Sequence, residues 1–224
     1  MRLVSKTRHE ARLPLTIADI FRHPILSRLA NVMDHLGAES SLSEDYMLFS
    51  ALGGTESADS ITYSLTPLIT GPGRIVDAAP TTDFQVLSVN ASLQPSRDLL
   101  ALVNLDGTGP CDIERWRTSC QGLVKAYDIL RTAYVIRDAQ LLQVVLRDYE
   151  PSVKHYGTDE TVGQSARQLI AEDRHCSPGL GRPFSEFAIV TSSSDSQYRI
   201  LFRLSHAEYN ATSLSFFTNT LQTL

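Results

Sequence analysis

The sequence predicts an α/β fold: a mixed β-sheet with helices packed on it. Three observations carry this. Strand and helix signals alternate from residue 81 to residue 224. Two pairs of apolar, β-branched runs flank short polar turns, as hairpins do. Other runs are joined through amphipathic stretches, which permits parallel neighbours.

The elements follow in order. Residues 1–37 read as helical, with Leu3, Val4, Ile17, Ile20 and Phe21 at helix-like intervals broken by Pro14. Thr16 is a candidate cap for a short helix from Ile17. "HPILSRLANVMDHLG" then predicts a further helix. Pro24 stands near its start, Ile25, Leu26, Leu29, Val32, Met33 and Leu36 form its apolar face, and Gly37 stops it.

Residues 38–80 are rich in Ser, Gly, Thr and Pro and hold no long period. They read as a linker with one short helix near Tyr46–Leu52. From 81 onward the signals sharpen. "LLALVNLDG" (99–107) predicts a strand closed by Asp-Gly. Ile113, Trp116, Cys120, Leu123 and Tyr127 give an amphipathic helix with Asp112 as its N-cap. "RTAYVIRD" and "LLQVVLRDY" predict a hairpin turning at Asp138-Ala139. "DETVGQSARQLIAEDRHC" is a second helix, and "FSEFAIVTSSSDSQYRILFRLSH" a second hairpin. A third helix begins near Thr212. Tyr134, Phe184, Phe187, Tyr198 and Phe202 recur at strand spacing and read as core.

Composition excludes several function classes. Twenty basic against 25 acidic residues leave a net charge of -5, which argues against a general nucleic-acid or anionic-membrane binder. No apolar run approaches the ~20 residues that span a bilayer. The charged "MRLVSKTRHEARLPL" lacks a signal-peptide core, so the cytoplasm is the expected location. Cys111, Cys120 and Cys176 are widely spaced and form no C-x-x-C pair, so no metal site or disulfide framework is expected. The sequons at Asn90 and Asn210 read as chance without a secretory signal. No phosphate-binding glycine loop and no H-E-x-x-H occurs.

Four landmarks then share an order. "MRLVSKTRHEARLPLTIADIFRHPILSRLA" resembles the last helices of a fungal carrier (thiolation) domain of nonribosomal peptide synthetases. "PTTDFQ" (Pro80–Gln85) resembles the opening motif of a condensation domain, and "YDILRTAYV" (Tyr127–Val135) its second motif. "SHAEYNA" (Ser205–Ala211) sits where such domains carry H-H-x-x-x-D-G. Serine in the first His position resembles the fungal terminal condensation-like domains, which cyclise and release a peptide. The resemblance implies a carrier tail at 1–37, a linker at 38–80, and at 81–224 the first lobe of a chloramphenicol acetyltransferase-like fold. It also implies partners: carrier domains presenting phosphopantetheine thioesters, and a second lobe closing a tunnel. No cofactor is expected on this chain itself, because the carrier's serine turn belongs upstream of Met1. "LGGTESADSI" imitates that turn, but Ser60 stands on the wrong side of the carrier helices.

By the same resemblance His206 is the catalytic base or orienter of the attacking amine. A histidine suits either role, its ordinary pKa of ~6.5 lying near working pH. The family's Asp, which pairs with a buried Arg, is Asn210 here, and Arg131 is the matching Arg. Breaking such a pair costs ~3–5 kcal/mol unless another acid, Asp83 or Glu208, substitutes. The family's Gly is Ala211, which costs ~1–2 kcal/mol if the backbone there is left-handed. Gln85 marks the domain's entrance, facing the tunnel or lying on a strand surface. Ser205 completes the motif, and Tyr209 faces either tunnel or core. Three readings compete: a catalytic half needing its second lobe; an inactive remnant or carrier-docking module, which Asn210, Ala211 and the two expected truncations favour; and a free-standing acyl-CoA transferase. The decisive expectation is spatial. The His206 ring should project beside an apolar flank that another lobe would cover.

Overall fold

The structure, a computed structural model, describes residues 15, 17–39, 46–96, 99–173, 178–193 and 196–223. The chain divides into two compact units, Met1–Met47 and Leu48–Leu224.

In the first unit α1 spans Ile17–Arg22 and α2 spans Leu26–Glu39. Pro24 separates them, since a residue before proline is driven out of helical geometry. Leu29 is buried and Val32 and Met33 are half-buried, but Ile25 and Leu26 are 54% and 79% exposed. The apolar face therefore begins at Leu29, one turn later than expected. Helix α2 also runs through Gly37 instead of stopping there; a glycine inside a helix costs only about 1 kcal/mol. Pro14 and Thr16 lie outside the described residues.

In the second unit the stretch read as linker carries regular secondary structure, and Phe49 ahead of it is buried. It holds a 3-10 turn at Ser50–Leu52, α3 at Ala58–Leu65 and β1 at Arg74–Pro80. Ser57 caps α3, its hydroxyl accepting the Ser60 N–H at 3.3 Å. Ile61 and Leu65, four residues apart, are buried against Ala133, Val135, Leu142 and Val144. A thin stripe inside a Ser/Thr-rich stretch suffices once a sheet stands opposite it.

That sheet is antiparallel, in the order β1-β4-β3. Strands β3 (Thr132–Arg137) and β4 (Gln140–Arg147) form the expected hairpin. Its two turn residues, Asp138 and Ala139, both have positive φ, 51° and 61°. A second sheet has the order β2-β7-β6-β5, with β2 at Leu100–Thr108, β5 at Val153–Thr158, β6 at Glu186–Ser192 and β7 at Gln197–Ser205. It is mixed, because β5 runs parallel to β6 and the other pairs are antiparallel. The strands thus form two sheets instead of one. Phe184 precedes β6, so it is core without being on a strand.

Four further helices follow: α4 (Asp83–Leu93), α5 (Ile113–Ala126), α6 (Val162–Asp173) and α7 (Ala211–Thr223). Asp112 caps α5 as expected, accepting the Arg115 N–H at 3.0 Å. One face of the mixed sheet presents Phe187, Phe202 and Leu204 to Cys120, Leu123 and Val124 of α5 and to Phe217 and Leu221 of α7. The Phe187 and Phe202 rings stack with centroids 4.4 Å apart. The opposite face presents Val190 and Leu201 to Val162 and Ala166 of α6. Each of the Phe, Leu and Val side chains among them contributes roughly 1.5–3 kcal/mol by leaving water. Strand β7, covered on both faces, is therefore a rigid rod, and His206 follows its last residue. Among the described residues no helix is long and apolar enough to cross a membrane.

Candidate functional site

The site is assembled from the end of β7, the first turns of α4 and α7, and the segment before β6. The β2–β7 ladder ends at Leu100 and Ser205, and the His206 N–H continues it to the Leu99 carbonyl at 2.8 Å. Ser205 is fully buried, its hydroxyl bonded to that of Ser92 on α4 at 2.8 Å and accepting the Ala207 N–H at 3.2 Å. The motif serine is thus a tether between strand and helix. On the other side of His206, the buried Tyr134 hydroxyl donates to the Ala207 carbonyl at 3.2 Å.

The His206 ring is half-buried between two aromatic side chains. Tyr209 stacks on it at 4.7 Å with planes 13° apart, and Phe84 meets it edge-on at 5.1 Å and 89°. Its Nδ1 lies 3.0 Å from the Tyr209 carbonyl oxygen. A carbonyl only accepts, so Nδ1 carries the proton and donates it. In the neutral ring Nε2 is then the basic nitrogen. Tyr209 stacks on His206 and packs at the margin of the core around Phe202 and Phe217.

Asn210 and Arg131 do not meet in the way the resemblance implied. Asn210 is exposed and caps α7, its Oδ1 accepting the N–H groups of Thr212 at 3.0 Å and Ser213 at 2.8 Å. Its own N–H donates to the Ser213 hydroxyl at 2.8 Å. Arg131 instead bonds Asp128 and the Leu146 carbonyl. The pairing fails because each partner is engaged locally, one by a helix end and the other by its own turn. Ala211 is the first residue of α7, a right-handed position, so no left-handed cost arises.

Gln85 lies in the first turn of α4, on a helix and not on a strand. With Thr82 it forms a capping box: the Thr82 hydroxyl accepts the Gln85 N–H at 3.2 Å, and Gln85 Oε1 accepts the Thr82 N–H at 2.9 Å. Its Nε2 donates to Gln143 Oε1 on β4 at 3.0 Å. Asp83 is exposed in the same turn. Phe84, the ring neighbour of His206, and Leu87, three residues on along α4, are 50% and 60% exposed. A 530 Å³ cavity bordered by Phe49, Ile69, Arg74 and Arg147 and a 260 Å³ cavity bordered by Ile170, Arg182 and Arg203 both lie apart from His206.

Three participants escaped the motif comparison: Ser92, Tyr134 as a hydrogen-bond donor, and Phe84 as a ring neighbour. Phe84 and Tyr134 left a trace, as aromatics inside "TTDF" and "YDILRTAYV", and Ser92 left none. Glu208, weighed as a substitute acid, is fully buried. Its Oε1 accepts the N–H groups of Phe184 and Ser185 at 3.1 and 3.2 Å, and its Oε2 that of Ser205 at 2.8 Å. Burial pushes its pKa up to about 8, against the opposing pull of those three bonds and of Arg203.

No protein-family profile matches the chain. The sequence is 50% identical over 99% of its length to nonribosomal peptide synthetase easA of Emericella nidulans. It is 39% identical over 96% of its length to ecdA of Aspergillus rugulosus and 36% identical over 100% to gloA of Glarea lozoyensis, both also nonribosomal peptide synthetases. The chain spans about 3% of the length of each of these relatives. Among solved structures, holo T3CT superposes with a TM-score of 0.65 at 19% identity, covering 78% of this chain and 40% of that one. The first condensation domain of the calcium-dependent antibiotic synthetase gives a TM-score of 0.56 at 17% identity, covering 65% and 36%.

Two sheets with helices packed on them, matching under half of each solved chain, define one lobe of a condensation-type, chloramphenicol acetyltransferase-like fold. Over nearly its whole length the chain is homologous to a segment of fungal nonribosomal peptide synthetases.

Proposed function

We propose that this chain contributes the His-bearing lobe of an amide-forming condensation or cyclising domain, working in the cytoplasm. Residues 1–37 are the tail of a carrier domain that precedes it. The substrates are peptidyl or aminoacyl thioesters of phosphopantetheine, delivered by partner carrier domains. His206 Nε2 accepts a proton from the attacking amine as nitrogen bonds to the thioester carbon. The C–S bond then breaks, the thiol leaves with a proton, and an amide remains. Arg131 acts as scaffold, through Asp128 and the Leu146 carbonyl.

One observation carries this reading: the Nδ1 bond to the Tyr209 carbonyl, which leaves Nε2 as the basic atom of a half-buried ring on a rigid strand end. The inactive reading loses two of its supports, because Asn210 has work as a helix cap and Ala211 sits in a helix.

The test mixes this chain with the second lobe of a fungal cyclising domain and a carrier-bound peptidyl thioester, and follows the amide by mass spectrometry. The chain alone should give none, the associated lobes should give product, and His206→Ala should abolish it. Product that survives His206→Ala, or no product from lobes shown to associate, overturns the reading.

A further inference from the structure

We infer that Glu208 is the positioning residue for His206, anchoring the turn that the family's Asp–Arg pair anchors elsewhere. This rests on the reading of His206 given above. The carboxyl group is fully buried and reaches two separate segments. Oε2 takes the N–H of Ser205, the last residue of β7, while Oε1 takes those of Phe184 and Ser185, just ahead of β6. The Glu208 N–H closes the same turn on the Ser205 carbonyl at 2.8 Å. Residues 205–208 therefore form a closed loop that is riveted sideways, and His206 lies inside it.

The neighbouring bonds show why the rivet bears on the imidazole. Phe184 is gripped twice, its N–H by Glu208 and its carbonyl by Arg203 Nε at 3.3 Å. Arg203 in turn is fixed by Asp173 at 2.6 Å. The Tyr209 carbonyl, which sets the His206 tautomer, is the next peptide along from Glu208. If the carboxyl lets go, the turn carrying that carbonyl loses its lateral anchor and keeps the one at its far end, where the N–H of the same peptide donates to the Ser213 hydroxyl at 2.8 Å. Asn210 cannot supply the anchor, since its amide is occupied at the start of α7, and Arg131 is turned to Asp128.

The experiment reads the ring directly. In the full chain labelled with ¹⁵N-histidine, His206 is assigned by its loss in His206→Gln. Wild type should show a single neutral tautomer protonated at Nδ1. Recorded above pH 8, where the carboxyl group is ionised and both its oxygens accept, the comparison is with Glu208→Gln, which keeps the side chain's length but offers one acceptor oxygen, so it serves one segment and abandons the other. It should give a folded chain with mixed His206 tautomers. Tyr209→Phe, which leaves the carbonyl and the carboxyl in place, should retain the wild-type pattern. An unchanged His206 spectrum in folded Glu208→Gln overturns the assignment. Where Glu208→Gln does not fold, the wild type still decides: long-range HNCO spectra should couple the amide nitrogens of Phe184, Ser185 and Ser205 to the Glu208 side-chain carboxyl carbon, and absent couplings overturn the inference. Neither readout requires amide formation, so this assignment and the catalytic reading fail separately.

Discussion

The His206 imidazole lies almost flat on the Tyr209 phenol, centroids 4.7 Å apart, while its Nδ1 is tied to the backbone carbonyl of that same residue. Stacking fixes the plane of the ring, and the hydrogen bond fixes its tautomer. The two effects separate by mutation. Tyr209→Ala removes the stack, worth ~0.5–1.5 kcal/mol, and keeps the carbonyl. Amide formation by the reassembled lobes should therefore fall roughly two- to tenfold, against complete loss in His206→Ala. Equal loss in both variants would mean that Tyr209 does more than orient.

Asn210 sits at a helix start and should behave as a cap. Asn210→Ala should cost about 1 kcal/mol in urea unfolding. Asn210→Asp keeps the two accepted bonds and adds negative charge beside the positive end of α7. It should be neutral or stabilising by a few tenths of a kcal/mol. A loss of ~3–5 kcal/mol in Asn210→Ala, the size of a broken buried ion pair, would refute the cap assignment.

The β3–β4 turn contains a correctable strain. Ala139 holds φ 61°, in the region where a methyl group crowds the backbone. Two-residue hairpin turns with both φ positive favour Asp-Gly, and here Asp-Ala occupies the place. Ala139→Gly should raise stability by about 0.5–1 kcal/mol, read as a higher Tm by calorimetry. A lower Tm would show that side-chain contacts of Ala139 outweigh the backbone relief.

Legibility in the sequence followed how each residue's neighbours are distributed along the chain. The β3–β4 hairpin and helix α5 were readable because their apolar residues obey a local period. Helix α4 was not: Phe84, Val86, Leu87, Val89 and Leu93 do not gather on one stripe, and Phe84 and Leu87 remain half-exposed. Strand β5 was hidden because Lys154, His155 and Tyr156 are exposed on a sheet edge, where apolar alternation is not demanded. At the site, "SHAEYNA" singles out His206, while the Asn210–Arg131 pairing that the resemblance implies does not occur. Motif spacing carries no information on whether a side chain turns to its own helix end or across the fold. Nor does it show that Glu208 reaches residues 23 and 24 positions away.

The pH dependence of stability should carry the signature of Glu208. Its carboxyl group is moved from 4.5 up to about 8, first by burial, with three backbone N–H groups and Arg203 pulling the other way. The groups around it include Arg203 and the phenols of Tyr134 and Tyr149, both pushed well up by burial, Tyr149 to about 12. The phenols therefore stay neutral across the relevant range. Between pH 4.5 and about 8 the native state keeps a proton that the unfolded chain has released. Native binding exceeds unfolded binding there, so stability falls as pH rises. The contribution is fully present below 4.5 and is lost by the time pH passes about 8. The drop should be on the order of a few kcal/mol. Urea midpoints measured across that window should decline in wild type, and Glu208→Gln, which cannot ionise, should show a flatter profile whatever its absolute stability. Parallel profiles for the two proteins would show that Glu208 is already ionised throughout, with the three N–H bonds and Arg203 outweighing its burial.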